Sequence, residues 1–307
     1  MTTAMSTQAL ERKIDQLRQR FSGRLSVAAR NLTSGAAVLV DADRVYPTAS
    51  TIKIAILVEV FAQAEAGNFD LGRRVRVSDA NLVGGSGVLR DLQDGADLSV
   101  RDLGTLMMTV SDNTATNLLI DLVGGVAVVN RRMQQDLGLG SVQLHTRIDF
   151  DKIGDDVRRF AEACPADLMK LMELLLRGEV VSAAVSGRVV DVMRKQQFME
   201  FVPRYLRVTP WADELKISPR LSVADKPGFL PGTAVDAGAL FLPEGVTIAF
   251  SVMAHESKDL GHMHESEASI ACGIVGRWLV EHWWPGDDVD TVVQGSLYVD
   301  VWGGEPG

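Results

Sequence analysis

The chain has 307 residues, of which 31 are Lys or Arg and 40 are Asp or Glu, giving a net charge of −9 and an isoelectric point near 5.1. A 46% apolar fraction supports a sizeable core, in one large domain or two ordinary ones. The acidic balance, with dispersed basic residues, excludes nucleic acid and anionic membrane surfaces as partners, because both demand basic patches.

The N-terminus reads as an amphipathic helix. Leu10, Ile14, Leu17 and Phe21 recur at helical spacing among Glu11, Arg12, Lys13, Asp15 and Arg18. It lacks the apolar core of a signal peptide, so the expectation is a cytoplasmic protein unless a leader has been removed. No apolar run reaches the ~18 residues of a membrane span, and the run after Lys53 is interrupted by Glu59. Two strands are predicted at 25–29 and 36–40, joined by the turn residues Asn31 to Gly35 into a hairpin.

From about residue 50 to 200 the pattern turns helical. Helices are predicted at 51–66, 99–110, 114–122, 126–137, 165–177 and 182–195, with stops at Gly67, Gly138 and Gly178. Ser99 with Asp102 makes a capping box. Strands return at 221–225, 234–241 and 246–254, followed by a helix at 266–282. Separate runs of strands and helices predict an α+β fold, an antiparallel sheet flanked by helices with an inserted all-α subdomain. The expected division is 1–45 plus 212–307 for the sheet subdomain and 46–211 for the helical one, with the active site between them. Ser296 to Trp302 reads as a further strand, and the 290–307 tail offers a route to a weak dimer of an otherwise monomeric protein.

Three short motifs carry chemistry. In Ser50-Thr51-Ile52-Lys53 a hydroxyl and an amine lie one helical turn apart. A serine needs a neighbouring base to be nucleophilic, and burial makes a lysine such a base by disfavouring its ammonium form. In Ser111-Asp112-Asn113, a hydroxyl able to relay a proton stands beside an amide able to bind a carbonyl and to accept from Lys53. By itself that tripeptide is a helix N-cap. In Lys226-Pro227-Gly228, predicted at the end of a strand, the lysine suits an anionic group and the glycine permits close backbone approach.

In this order, the three motifs resemble the S-x-x-K, S-D-N and K-T-G signature of serine β-lactamases and penicillin-binding proteins, most closely the class A β-lactamases. The flanks 71–75, 108–119 and 146–149 are also similar to class A sequence, and the likeness covers roughly residues 23–284. The resemblance implies a hydrolase that opens a β-lactam amide through an acyl-serine intermediate. It would make Ser50 the nucleophile, Lys53 its activator, Ser111 the proton donor to the departing nitrogen and Lys226 the cation for the substrate carboxylate. Asn113 would hold the substrate's side-chain amide. The backbone N–H groups of Ser50 and Phe229, beside Gly228, would form the oxyanion hole. A D,D-peptidase or esterase of the same superfamily, or a β-lactam-binding protein that deacylates slowly, are the alternatives. The partner is a small β-lactam or peptidoglycan-like molecule, and neither cofactor nor metal is implied.

The chain departs from the family twice. Pro227 replaces the hydroxyl residue of the third motif, removing a hydrogen bond to the substrate carboxylate, for which Thr233 or Ser251 are candidate replacements. The Ω-loop pattern E-x-x-L-N, whose glutamate positions the deacylating water, is missing after Asp149. Asp151, Asp155, Asp156 and Glu162 are the nearby carboxylates. Acylation is therefore expected to outrun deacylation. His255, His262 and His264 cluster without a specific metal-ligand spacing, and Cys164 and Cys272 are expected to be buried thiols.

Overall fold

The computed structural model describes residues 6–92, 95–261 and 265–285. The proposed strand at 296–302, the 290–307 contact, His262 and His264 lie outside them. Five strands form an antiparallel sheet: β1 (Arg24–Asn31), β2 (Ala37–Val40), β3 (Ser222–Leu230), β4 (Thr233–Phe241) and β5 (Thr247–His255), in the order β2-β1-β5-β4-β3. The helices are α1 (Thr7–Arg20), α2 (Lys53–Glu65), α3 (Val100–Thr109), α4 (Asn113–Leu122), α5 (Val126–Arg131), α6 (Phe150–Ile153), α7 (Pro165–Arg177), α8 (Ala183–Met193) and α9 (Glu267–Trp283). No described helix is long and apolar enough to cross a membrane. The expected α+β architecture, a sheet flanked by helices, is thus present.

Strand alternation splits the apolar residues between two cores. Val27, Leu240, Ile248, Phe250 and Val252 face α1 and α9, with Leu10, Ile14, Leu17 and Ile274 opposite them. Ala28, Ala224, Ala237, Ala239 and Ala249 face the helical block, where α2, α3, α4, α7 and α8 supply the second core. These small side chains let the helices lie close to the sheet. Glu59, which interrupts the apolar run of α2, is buried and receives a hydrogen bond from Arg132 Nε at 2.8 Å.

Three short pairings escaped the sequence reading, one of them Arg74–Arg76 with Asp97–Ser99. Tyr46–Pro47 pairs with Ala161–Ala163, which also pairs with Gln143–Leu144. This small sheet holds the chain just before Ser50. Beneath it the Tyr46 ring stacks on His255, with centroids 4.6 Å apart and planes 8° from parallel. Burial, then the Arg158 charge, push the His255 imidazole down to about 3. Folded His255 stays neutral to that pH, whereas the unfolded residue takes a proton below about 6.5. Stability is therefore intact above pH 6.5 and lost as pH falls toward 3, at up to roughly 1.4 kcal/mol per pH unit. His255→Phe, which keeps the stack, should flatten this decline. Urea midpoints with the same acid dependence in both proteins would remove His255 from the account.

Candidate active site

Ser50 lies in a 3₁₀ turn, Ala49–Ile52, that leads directly into α2. The turn begins at Ala49 with φ 46°, a left-handed value costly for a residue with a Cβ and typical of functional sites. The Lys53 N–H donates to the carbonyls of Ser50 and Thr51, and Thr51 Oγ1 donates to the Lys226 carbonyl at 3.0 Å. The first and third motifs, 175 residues apart, are thereby joined.

Lys53 is fully buried, and its Nζ lies 2.7 Å from the Ser111 carbonyl, 3.0 Å from Ser111 Oγ and 3.0 Å from Asn113 Oδ1. Burial, then the charge of Lys226, hold its pKa well below the ordinary lysine value, while Asp112 opposes the shift. A neutral amine fits the three contacts, with two N–H donors and one lone pair for the Ser111 hydroxyl. Ser111 itself has φ 56°. Asp112 caps α4 through the Ala115 N–H and accepts from the N–H groups of Val88 and Leu89 at 2.7 and 2.9 Å. Asn113 donates from Nδ2 to the Gly84 carbonyl and from its backbone to that of Ser86. The N-cap chemistry expected of this motif is present, and the same residues pin the 84–87 loop to the rim of the site.

The third motif lies inside β3, not at a strand end as the sequence suggested. The hairpin closes at Leu230↔Thr233 around Pro231 and Gly232. Counting back from that hydrogen-bonded pair puts the Phe229 N–H and the Pro227 carbonyl on the free edge of the sheet. A proline at 227 thus costs no ladder hydrogen bond, because its missing N–H would face the same open edge. Lys226 is fully buried and donates to the Pro227 carbonyl at 2.7 Å, and burial lowers its pKa to about 8. Thr233 is buried on the same sheet face as Lys226 and Gly228. Ser251 is also buried on that face, but two strands inward from β3, about 10 Å away, too far for a group held at the edge.

Gly228 makes the closest approach. A Cβ there would come 2.6 Å from the Thr48 carbonyl oxygen, 2.8 Å from the Ser50 nitrogen and 2.9 Å from the Thr51 nitrogen. All three are backbone atoms that cannot swing aside. Gly228→Ala should therefore push β3 off the Ser50 turn, separate the Ser50 and Phe229 N–H groups and slow acylation by about 10²–10³. An unchanged rate of adduct formation with a penicillin would show that this contact is dispensable.

The segment after Asp149 brings no carboxylate to Lys53. Asp151, Asp155 and Asp156 are exposed, and Glu162 pairs with His145 at 3.1 Å. The Phe150 ring and the Asn113 amide both border Gly85, where a Cβ would lie 3.1 Å from Phe150 Cζ and 2.7 Å from Asn113 Nδ2. The sequence reading gave Phe150 no role; its place directly after Asp149, at the head of the stretch that lacks E-x-x-L-N, was the available signal. Among the described residues no group of three or more His, Cys, Asp and Glu is placed to hold a metal ion. A cavity of about 660 Å³ opens between α2, α3 and α8, lined by Phe61, Arg101, Arg188 and Lys195 among others; it contains none of the motif residues.

Comparison with known proteins gives a consistent result. The chain is 29% identical to a beta-lactamase of Stenotrophomonas maltophilia over 62% of its own length and 60% of that protein's. It is 24% identical to one of Streptomyces cellulosae over 83% of this chain and 79% of that one. The chain thus spans about three fifths of the first of these relatives. Its fold superposes on the crystal structure of a beta-lactamase from Sphaerobacter thermophilus with a TM-score of 0.80 at 26% identity, covering 92% and 99% of the two chains. A mutant of PBP-A in an acyl-enzyme complex with penicillin G gives 0.78 at 26% identity, with the same coverage. An ancestral class A beta-lactamase of Gram-negative bacteria gives 0.74 at 25%, covering 89% and 99%. The model of the beta-lactamase enzyme family matches residues 9–283, so the chain belongs to that family.

Proposed function

We propose that the protein is a serine hydrolase of the class A type that opens β-lactam amides through an acyl-Ser50 intermediate. The observation that carries this reading is the buried Lys53, kept short of its usual charge and held between Ser111 and Asn113 one turn from Ser50. Lys53 takes the Ser50 hydroxyl proton as Oγ bonds to the lactam carbonyl carbon. The oxyanion that forms is held by the N–H groups of Ser50 and Phe229. The C–N bond then breaks, Ser111 gives its proton to the departing nitrogen, and Lys53 returns a proton to Ser111. Lys226 balances the substrate carboxylate. Asn113 holds the side-chain amide, and Thr233 lies at the β3–β4 hairpin beyond Gly228.

A second reading, slow release of the acyl group, is favoured by Phe150 and by the occupied or exposed state of every carboxylate from Asp151 to Glu162. The charge of Asp112 acts on Lys53, and its oxygens are already taken up by the N–H groups of Val88, Leu89 and Ala115. The likeness to a PBP-A mutant that forms an acyl-enzyme complex with penicillin G supports the acylation step that both readings share. Intact-mass measurement during incubation with a penicillin tests both. A transient adduct with turnover means a lactamase, a lasting one a trap, and no adduct overturns the proposal.

A further inference from the structure

Behind Lys226, on the opposite face of the sheet, two carboxyl groups are sealed from water. Asp225 precedes Lys226 on β3 and points toward α9, as does Asp236 of β4, which lies opposite Pro227. Both are fully buried, and the register sets them diagonally across neighbouring strands on one face of the sheet. Asp225 lies over Gly238, where a Cβ would come 2.6 Å from Asp225 Cβ and 2.7 Å from its Cα, so the glycine is what lets the two acids meet. Asp236 Oδ2 accepts from the Val202 N–H at 3.1 Å. Asp236 Oδ1 and both oxygens of Asp225 find no donor among the described residues.

The remaining groups around the pair supply no second cation. Glu200 adds negative potential, Cys272 of α9 is a buried thiol that donates weakly to the Ala234 carbonyl, and Arg204 turns its guanidinium to Glu265. Two ionised carboxylates would repel in a dry site, and two neutral ones would leave Lys226 without a counter-charge. One proton between them joins Asp236 Oδ1 to one oxygen of Asp225 and leaves one negative charge against one positive charge.

We propose that Asp225 and Asp236 share a single proton and hold one negative charge behind Lys226, as positioning residues that keep its ammonium charged for the substrate anion. The proposal rests on the assignment of Lys226 to the acyl-transfer site. It agrees with the direction of the local shifts. Burial and mutual repulsion raise the Asp225 pKa far above its usual value and burial raises that of Asp236, while both acids oppose the lowering of Lys226.

Two measurements decide it. In the full chain labelled with ¹³C-aspartate, infrared spectra at pH 6 to 7 should show a label-sensitive C=O band of a protonated carboxyl, since exposed aspartates are ionised there. Absence of the band overturns the proposal whatever the activity. The isosteric, uncharged D225N/D236N variant should keep its fold by circular dichroism. The alkaline limb of its acylation profile should move down by about one pH unit, a tenfold change in the charged fraction of Lys226 on that limb. A folded variant with an unmoved limb also overturns it, because a merely structural pair would change the rate without moving the limb. If the variant does not fold, the labelled wild type alone decides. Failure of the wild type to acylate refutes the proposed function, and the carboxyl band still settles the pair.

Discussion

Ser50→Ala should abolish formation of the penicillin adduct expected of the wild type, with a loss in acylation rate of about 10⁴–10⁶, as expected when a covalent nucleophile is removed. The other hydroxyl of the first motif, that of Thr51, is committed to the Lys226 carbonyl. The substitution is also structurally mild. Ser50 is half-buried in a turn held by backbone contacts, by the 46–47 strand and by Gly228, and none of these uses its side chain. The melting temperature should therefore change little while the adduct disappears. An adduct of full stoichiometry on the alanine variant would place the nucleophile elsewhere. On the slow-release reading the wild-type adduct should outlast its formation time many-fold, because Asp151, Asp155 and Asp156 are exposed and Glu162 is paired with His145. Loss of the adduct as fast as it forms would show that another base activates the deacylating water.

Lys53→Ala should slow acylation by about 10²–10⁴, the usual worth of a positioned general base. The pH profile gives the sharper test. Lys53 acts as a base when neutral, and burial and the Lys226 charge hold its pKa well below the ordinary value. Acylation should thus fall on the acid side as pH drops through that lowered pKa. It should fall on the alkaline side above about pH 8, where Lys226 gives up its proton. The alanine variant should keep the alkaline limb and lose the acid one. An acid limb unchanged in Lys53→Ala would take the lysine out of the mechanism. Truncation also strips Asn113 Oδ1 and the Ser111 carbonyl of a buried donor, so some loss of stability accompanies the loss of rate.

Local patterns were legible wherever one element carries its own period. The α7 prediction of 165–177 matches the helix, with Pro165 at its first turn and Gly178 in a left-handed cap at its end. The β1–β2 hairpin and the strands β4 and β5 were equally readable from alternation. The Lys226 motif was placed at the end of a strand predicted at 221–225, whereas the strand runs on through Pro227 to Leu230, and on a free edge a proline breaks nothing. The pairings among 46–47, 143–144 and 161–163 have no period to detect, since strands of two or three residues are too short to show alternation. The acid pair was visible only as two aspartates in otherwise apolar strands, and the β3–β4 register was needed to bring Asp225 and Asp236 together.

By itself the sequence determined the kind of chemistry this protein carries: a serine, a lysine and their second and third motifs in order, with the Ω-loop glutamate missing. Those are properties of residue type and short spacing, which the local chain encodes. Only the tertiary structure decided which groups meet. It buried Lys53 between Ser111 and Asn113 and seated Gly228 against the Ser50 turn. It also committed Glu162 to His145 and put two aspartates behind Lys226. Each of these contacts joins separate elements, and several span more than fifty residues, so packing and burial fixed them together with the charge states that follow.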